Sequence, residues 1–417
     1  MEAIHKSFAG GYKFGIFEGQ PSKEIRVFKP AGDVVSVAIE LDGVANAANV
    51  LDTLGRTGFE APVSARVNTE GTIEPSKVKN IVVSTVEVEP YNLSNEAILS
   101  GDNKRKFIDG LKSIHISYDK AKITLVLGNN QKELIAMITQ ETKMLTWVDI
   151  AKITAKYPAN LKELSIPTIL GNRYPVGYAP AHIGVLFLSV MDVIHVNKAV
   201  NEKKKIDTTY VSLSGTGWKE NVILEVPVGT SVREIKDAYL SDHEIRLIKN
   251  SVLTQDVFEE DEIVDFDTSV MIALPEDRKR QILFFLRAGK NADSISNSFL
   301  SSLLPKAAKT SGTNLHGERR PCVSCTYCQK VCPVGLIPHL LHKHVDKEII
   351  NKRLAEYKIF NCIECGLCDY VCPSKIEISS DIKRGKVMLE ANGISHNDYV
   401  IPYCDMVQEV KEVEPVE

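Results

Sequence analysis

Strand-like and helix-like patterns that alternate along the chain, followed by a cysteine-dense helical end, predict a multidomain protein of mixed α+β and α/β class. Three observations carry this expectation. The 417 residues are enough for two to four domains at about 150 residues each. A hydrophobic fraction of 44% against 25% charged residues supports several ordinary cores and excludes a disordered or fibrous chain. All nine cysteines lie after residue 320, so the long N-terminal body folds without one. A secreted disulfide scaffold would spread them through the chain it staples. The pattern instead predicts a cofactor-binding module appended to a conventional body.

The net charge of -4 excludes a nucleic-acid binder that relies on a global basic field, and no nucleic-acid partner is expected. The stretch Tyr174–Met191 carries no charge, but Pro175, Gly177, Pro180 and Gly184 interrupt it. It reads as a buried strand rather than a membrane span, so no transmembrane segment is expected. The opening MEAIHKSFAGGYKF has no cationic stretch leading into an apolar one. A cytoplasmic location is the expectation.

Along the chain, residues 1–72 read as a small β module, with a strand at Glu24–Phe28, a turn at Lys29–Asp33, an alternating run at Val34–Leu41 and a turn and strand at Ala61–Val67. Residues 73–205 read as an α/β layer. Val78–Val88, Ile123–Leu127 and Ile183–Met191 are its strands, and Gln131–Gln140 and Trp147–Tyr157 its helices; Lys203–Lys205 marks a solvated loop. Residues 206–275 restart with strands at Thr209–Ser214 and Val222–Val226, a helix at Val232–Leu240 capped by Ser231, and a later strand at Ser269–Leu274. That order fits a ubiquitin-like β-grasp unit. Residues 276–320 form a helical, polar linker, 321–395 a helical cysteine module, and 396–417 an acidic tail.

The cysteines carry the chemistry. Cys322, Cys325, Cys328 and Cys332, followed by Pro333, repeat as Cys362, Cys365, Cys368 and Cys372, followed by Pro373. Both runs are C-x2-C-x2-C-x3-C-P, the spacing that ligates [4Fe–4S] clusters. Three thiolates two residues apart wrap three corners of a cubane. In two-cluster ferredoxins the fourth cysteine serves the other cluster. One cluster is therefore assigned to Cys322, Cys325, Cys328 and Cys372, and the second to Cys362, Cys365, Cys368 and Cys332. Zinc favours pairs of cysteines rather than these triplets. Four thiolates per cubane leave no open iron, so the spacing implies electron transfer rather than substrate activation, and no catalytic residue is assigned. The segment His339–Leu354 (HLLHKHVDKEIINKRL) reads as a basic helical face able to dock an acidic carrier such as ferredoxin or flavodoxin, or equally as a solvated helix. His339, His342 and His344 are read as surface-helix residues rather than ligands, and Cys404 as an ordinary thiol.

The order of motifs resembles the C subunit of Rnf complexes, membrane-bound ferredoxin:NAD oxidoreductases, and more distantly the A subunit of the sodium-translocating NADH:quinone reductase. Phe8–Gly11 resembles an FxGG opening and Ala61–Ser64 an APxSG turn. Glu87–Tyr91 resembles E-x-E-P-Y, Val226–Thr230 the V-P-x-G-T segment, and Cys332–Leu336 the Cys-Pro-x-Gly-Leu continuation. The resemblance implies an N-terminal barrel-sandwich module, a Rossmann-like flavin-binding-type domain, a β-grasp (SLBB) domain and a C-terminal α-helical dicluster ferredoxin domain. It also implies FMN and NADH, partner subunits of a redox complex, some membrane-embedded, and a peripheral place on the cytoplasmic membrane face.

Two departures bear on the nucleotide. The relatives' Gly-rich G-x-G-G-A-G-F-P segment is replaced by Gly71–Asn80, which holds one glycine, and a Y-P-x-G-x-E element becomes Tyr157–Lys162 without its glycine. Glycines let backbone amides close on a phosphate, so their loss predicts a degenerate site without flavin or NADH oxidation by this chain alone. Glu87 and Glu89 are then read as solvent-facing strand-end carboxylates in preference to remnant ribose ligands. The favoured expectation is an iron–sulfur electron-transfer subunit of an Rnf-like complex. An NAD(P)H dehydrogenase with FMN in the α/β domain is the runner-up. A soluble Rnf-C-like adaptor for a cobalamin or amino-acid reductase is the third reading.

Overall fold

The computed structural model describes residues 78–275, apart from 119–120, 172–175, 179, 205, 242–244, 255 and 260–261, together with residues 319–400 and the backbone of 13–16. The strands expected at Glu24–Phe28, Val34–Leu41 and Ala61–Val67, the segment Gly71–Lys77, the linker 276–318, Cys404 and the acidic tail lie outside the described residues.

The first strand, β1 (Lys13–Ile16), pairs in parallel with a strand some two hundred residues later, described below. The α/β layer follows. It consists of β2 (Asn80–Ser84), α1 (Asn95–Ile98), α2 (Asn103–Ser117), β3 (Ile123–Gly128), α3 (Lys132–Thr142), β4 (Val148–Ile153), α4 (Lys162–Leu170), β5 (Val185–Ser189) and α5 (Val190–Val200). Its four strands are all parallel in the order β4-β3-β2-β5, a Rossmann-like core. Parallel strands are covered on both faces and so read as apolar runs. The central residues Ile81, Val82, Val83, Leu125, Val126 and Leu127 are fully buried. α2 and α5 lie so close that a Cβ on Gly110 would stand 2.3 Å from the Val193 carbonyl oxygen.

Three expectations are corrected here. Trp147–Tyr157 is not a helix. Val148 and Ile150 share one face with Lys152, and Ile153 shares the other with Asp149, along edge strand β4, where β-branched residues fit a half-covered pleat. The strand expected to reach Met191 stops at Ser189, whose hydroxyl accepts from the Asp192 amide while the Asp192 carboxylate accepts from the Ser189 amide. That capping box turns an apolar run into the start of α5. The strand expected over Val78–Val88 is limited to β2, so Glu87 and Glu89 lie beyond its carboxyl end.

The second sheet contains β6 (Thr208–Ser214), β7 (Val222–Pro227), β8 (Ile245–Lys249) and β9 (Val270–Pro275), with α6 (Val232–Tyr239) between β7 and β8. Its order is β1-β7-β6-β9-β8, with β6 and β9 parallel at the centre, β7 antiparallel to β6 and β8 antiparallel to β9. Ser231 caps α6 by accepting from the Arg233 amide at 3.2 Å. Val252, Leu253, Val270, Ile272 and Leu274 join the core of the parallel sheet, so the two sheets share one hydrophobic interior.

Residues 319–400 are helical and short-looped. The elements are α7 (Tyr327–Val331), α8 (Pro338–Asp346), α9 (Lys352–Glu356), α10 (Leu367–Tyr370), α11 (Ile378–Ala391) and α12 (His396–Tyr399). Leu341, Val345, Leu354, Ile359, Ile382 and Leu389 form their own core. The single basic face expected over His339–Leu354 is two helices, because α8 ends at Asp346 and Asn351 caps α9. Among the described residues, no helix is long and apolar enough to cross a membrane.

Candidate iron–sulfur centres and the crevice beside them

Each cysteine run sits in a loop that enters a short helix, α7 for the first and α10 for the second. The loops need left-handed backbone at Ser324 (φ 53°), Thr326 (φ 63°), Glu364 (φ 57°) and Gly366 (φ 70°). This coiling turns successive residues inward around a centre. The two runs are then brought together across α7 and α10, and the thiols sort by charge. Cys372 feels Cys325 and Cys322, and Cys328 feels Cys325 and Cys372. Cys362 feels Cys332, and Cys365 feels Cys362 and Cys332. Each fourth cysteine thus stands with the other run's triplet.

The donor set fits a cluster of irons. Burial pushes the Cys328 thiol up to about 11 and the Cys365 thiol up to about 12, and raises Cys362, Cys368 and Cys372. Thiols so reluctant to ionise become ligands only against a strongly positive centre, and metal binding drives their protons off. Backbone amides already point at the sulfurs, Leu336 at Cys332 over 3.3 Å and Glu364 at Cys362 over 3.4 Å. Such donors stabilise charge on cluster sulfur and tune potential. Lys386 adds a buried cation. It pairs with Glu364 at 2.8 Å and donates to the Cys362 carbonyl at 2.8 Å.

The histidines divide. His339 lies 3.9 Å from the Cys328 sulfur. His342 is buried, contrary to the surface reading, because its ring is held 2.6 Å from the Asp381 carboxylate inside the α8–α11 contact. His344 packs edge-on against Tyr357. Among the described residues no three His, Cys, Asp or Glu are arranged to hold a single metal ion.

The parallel sheet makes a second feature. β2 pairs with β3 on one side and β5 on the other, so the strand order reverses at β2–β5, where open α/β sheets keep their ligand crevice. Ser84 and Ser189, the last residues of those strands, are register partners. Glu87 and Glu89 follow β2 beyond its carboxyl end and are half-buried rather than open to solvent. The Glu87 carboxylate accepts from the Asn95 amide at the start of α1, and burial pushes it up to about 8. Glu89 accepts from Asn160 at 2.9 Å and from the Ser251 hydroxyl, and burial raises it too. The degenerate Tyr157–Lys162 element therefore closes onto the E-x-E segment. Tyr157 reaches onward, its hydroxyl donating to the Cys365 carbonyl at 2.5 Å. Both carboxyls beyond β2 are thus already engaged by neighbouring groups.

The comparisons with known proteins match the two regions to different families. Residues 318–376 match the family described as "4Fe-4S dicluster domain", and residues 50–201 the family described as "Nuo51 FMN-binding domain". The C subunit of the ion-translocating oxidoreductase complex of Buchnera aphidicola subsp. Acyrthosiphon pisum is 22% identical over 77% of this chain and 61% of its own length. The A subunit of the Na(+)-translocating NADH-quinone reductase of Hahella chejuensis is 22% identical over 91% of this chain and 88% of its own. An NAD+-reducing [NiFe]-hydrogenase chain aligns with a TM-score of 0.41 at 12% identity, covering 55% of this chain and 47% of that one, too distant to carry an argument. The class defined by fold and site is an iron–sulfur protein with a Rossmann-like core. The matches are those of an Rnf-C-like chain, one that spans 61% of the length of the Buchnera relative.

The thiol sets are legible from spacing alone. The roles of Asn160, Ser251 and Lys386 are not, because they lie far in sequence from what they hold, and the motif that contains Asn160 gives no sign of its bond to Glu89.

Proposed function

We propose that this chain is the iron–sulfur electron-transfer subunit of an Rnf-like redox complex, passing single electrons between a soluble carrier and a partner subunit. The reading is supported by the nearness of Cys372 to Cys322 and Cys325 and of Cys332 to Cys362 and Cys365. Cys322, Cys325, Cys328 and Cys372 hold one [4Fe–4S] cluster, and Cys362, Cys365, Cys368 and Cys332 hold the second. A cubane supplies one-electron chemistry when bound. The residues around the two sites contribute amide donors and, beside Cys362, the Lys386 cation, which set where charge is tolerated. Crossed ligands keep the clusters close enough to act as one path. The partners are subunits of a complex of the kind its relatives are named for, and a ferredoxin- or flavodoxin-like carrier. The location is the cytoplasmic membrane face.

The finer domain reading belongs to the same proposal. The β-grasp (SLBB) unit is 206–275, supported by the central parallel pair β6–β9 and the hairpin β6–β7. A barrel-sandwich module at 1–72, the degenerate flavin-type domain at 73–205 and the dicluster module at 321–395 complete it. A second reading, an NAD(P)H dehydrogenase with FMN, rests on the match of residues 50–201 to the FMN-binding family. One anaerobic titration separates the two. Dithionite bleaches the clusters in both readings. NADH leaves them oxidised in the proposed function and bleaches them, with bound FMN, in the second.

A further inference from the structure

The two cluster sites are not equivalent in their surroundings. The second faces the body of the chain. Tyr157 donates to the Cys365 carbonyl, Cys365 and Leu367 belong to the core of the parallel sheet, and Gly366 lies against the Leu253 carbonyl. The first presents an open side instead. Val323, between two of its ligands, is 67% exposed, and Tyr327, one residue before Cys328, is 40% exposed. Large apolar side chains at such exposure mark contact sites when they cluster with a function. Cations flank them. Lys330 lies over the Tyr327 ring at 5.7 Å, and Lys343 reaches from α8 to the Ser324 hydroxyl at 2.8 Å. Arg319 nearby is paired with Asp346 at 2.8 Å, so Lys330 and Lys343 are the cations this face offers a partner.

We propose, resting on the electron-transfer reading above, that an acidic one-electron carrier protein docks on Val323, Tyr327, Lys330 and Lys343 and exchanges its electron at the first cluster, while the second cluster serves the inside of the chain. In the direction tested below, the carrier's centre loses one electron and the cluster of Cys322, Cys325, Cys328 and Cys372 gains it. No bond or proton need move. A small apolar centre ringed by cations orients an acidic partner and speeds encounter, and salt screens it. This places docking on the first cysteine loop, α7 and the last turn of α8, not on the basic residues of α9.

The test uses the full chain with reconstituted clusters and a flavodoxin as the acidic carrier. Binding of oxidised flavodoxin is measured by titration calorimetry, where no electron moves. Transfer from its hydroquinone is followed by appearance of the semiquinone. The double variant Lys330→Glu/Lys343→Glu should weaken binding and slow transfer by about tenfold or more, with dithionite bleaching unchanged. Lys352→Glu on α9 should leave both near wild type, and added salt should weaken binding of the wild type. Wild-type affinity in the double variant, or a loss confined to Lys352→Glu, overturns the docking assignment while leaving the electron-transfer reading intact. Clusters that dithionite cannot reduce would sink that reading, and this assignment with it.

Discussion

Glu87 follows its strand with the carboxyl turned into the protein, and that orientation has a measurable consequence. Between the ordinary carboxylate value of 4.5 and the raised value of about 8, the folded chain holds a proton that the unfolded chain has lost. Stability therefore falls as pH rises through that window and is level above it. Glu87→Gln keeps an oxygen for the Asn95 amide and removes the ionisation. The variant should lose less stability between pH 5 and pH 8 than the parent, a difference on the order of 2 kcal/mol, read from melting curves at the two pH values. Parallel profiles would show that the carboxyl is not buried as described. Asp192, which burial pushes up to about 7, titrates in the same direction, so the variant keeps part of the slope. Cys332 makes a second prediction at this scale. Once the two clusters are resolved by EPR, Cys332→Ala should disturb the cluster of Cys362, Cys365 and Cys368. A change restricted to the cluster of Cys322, Cys325 and Cys328 would mean that each run serves itself.

At the scale of elements, the parallel strands β2 and β3 are plain in the sequence because both are buried on two faces and read as unbroken apolar runs. β4 imitates a helix, since this edge strand exposes Asp149 on one face and Lys152 on the other, a spacing of three that breaks strict alternation. α5 is hidden because it follows β5 with no polar gap except Ser189, so one apolar run contains a strand and a helix. The cysteine loops are the reverse case, legible to the residue because ligand geometry fixes their spacing. What spacing does not reveal is the seam between the second loop and the body. Gly366 makes that seam, in left-handed backbone where an added Cβ would stand 1.9 Å from the Leu253 carbonyl oxygen. Gly366→Ala should cost about 2 kcal/mol or more from strain and overlap together, read as a lowered melting temperature of the reconstituted protein. An unchanged melting temperature would mean that the seam yields freely.

At the scale of the whole molecule, a Rossmann-like core, with Glu89 held by Asn160 and Ser251 beyond its strand ends, is joined through Tyr157 and Gly366 to a helical module that carries eight thiols. Everything in that account depends on what the thiols hold. The most direct test is iron and acid-labile sulfide per chain in anaerobically purified, fully reconstituted protein. Two four-thiol sets predict about eight of each. Stoichiometric zinc, or iron and sulfide saturating at about four, would contradict it.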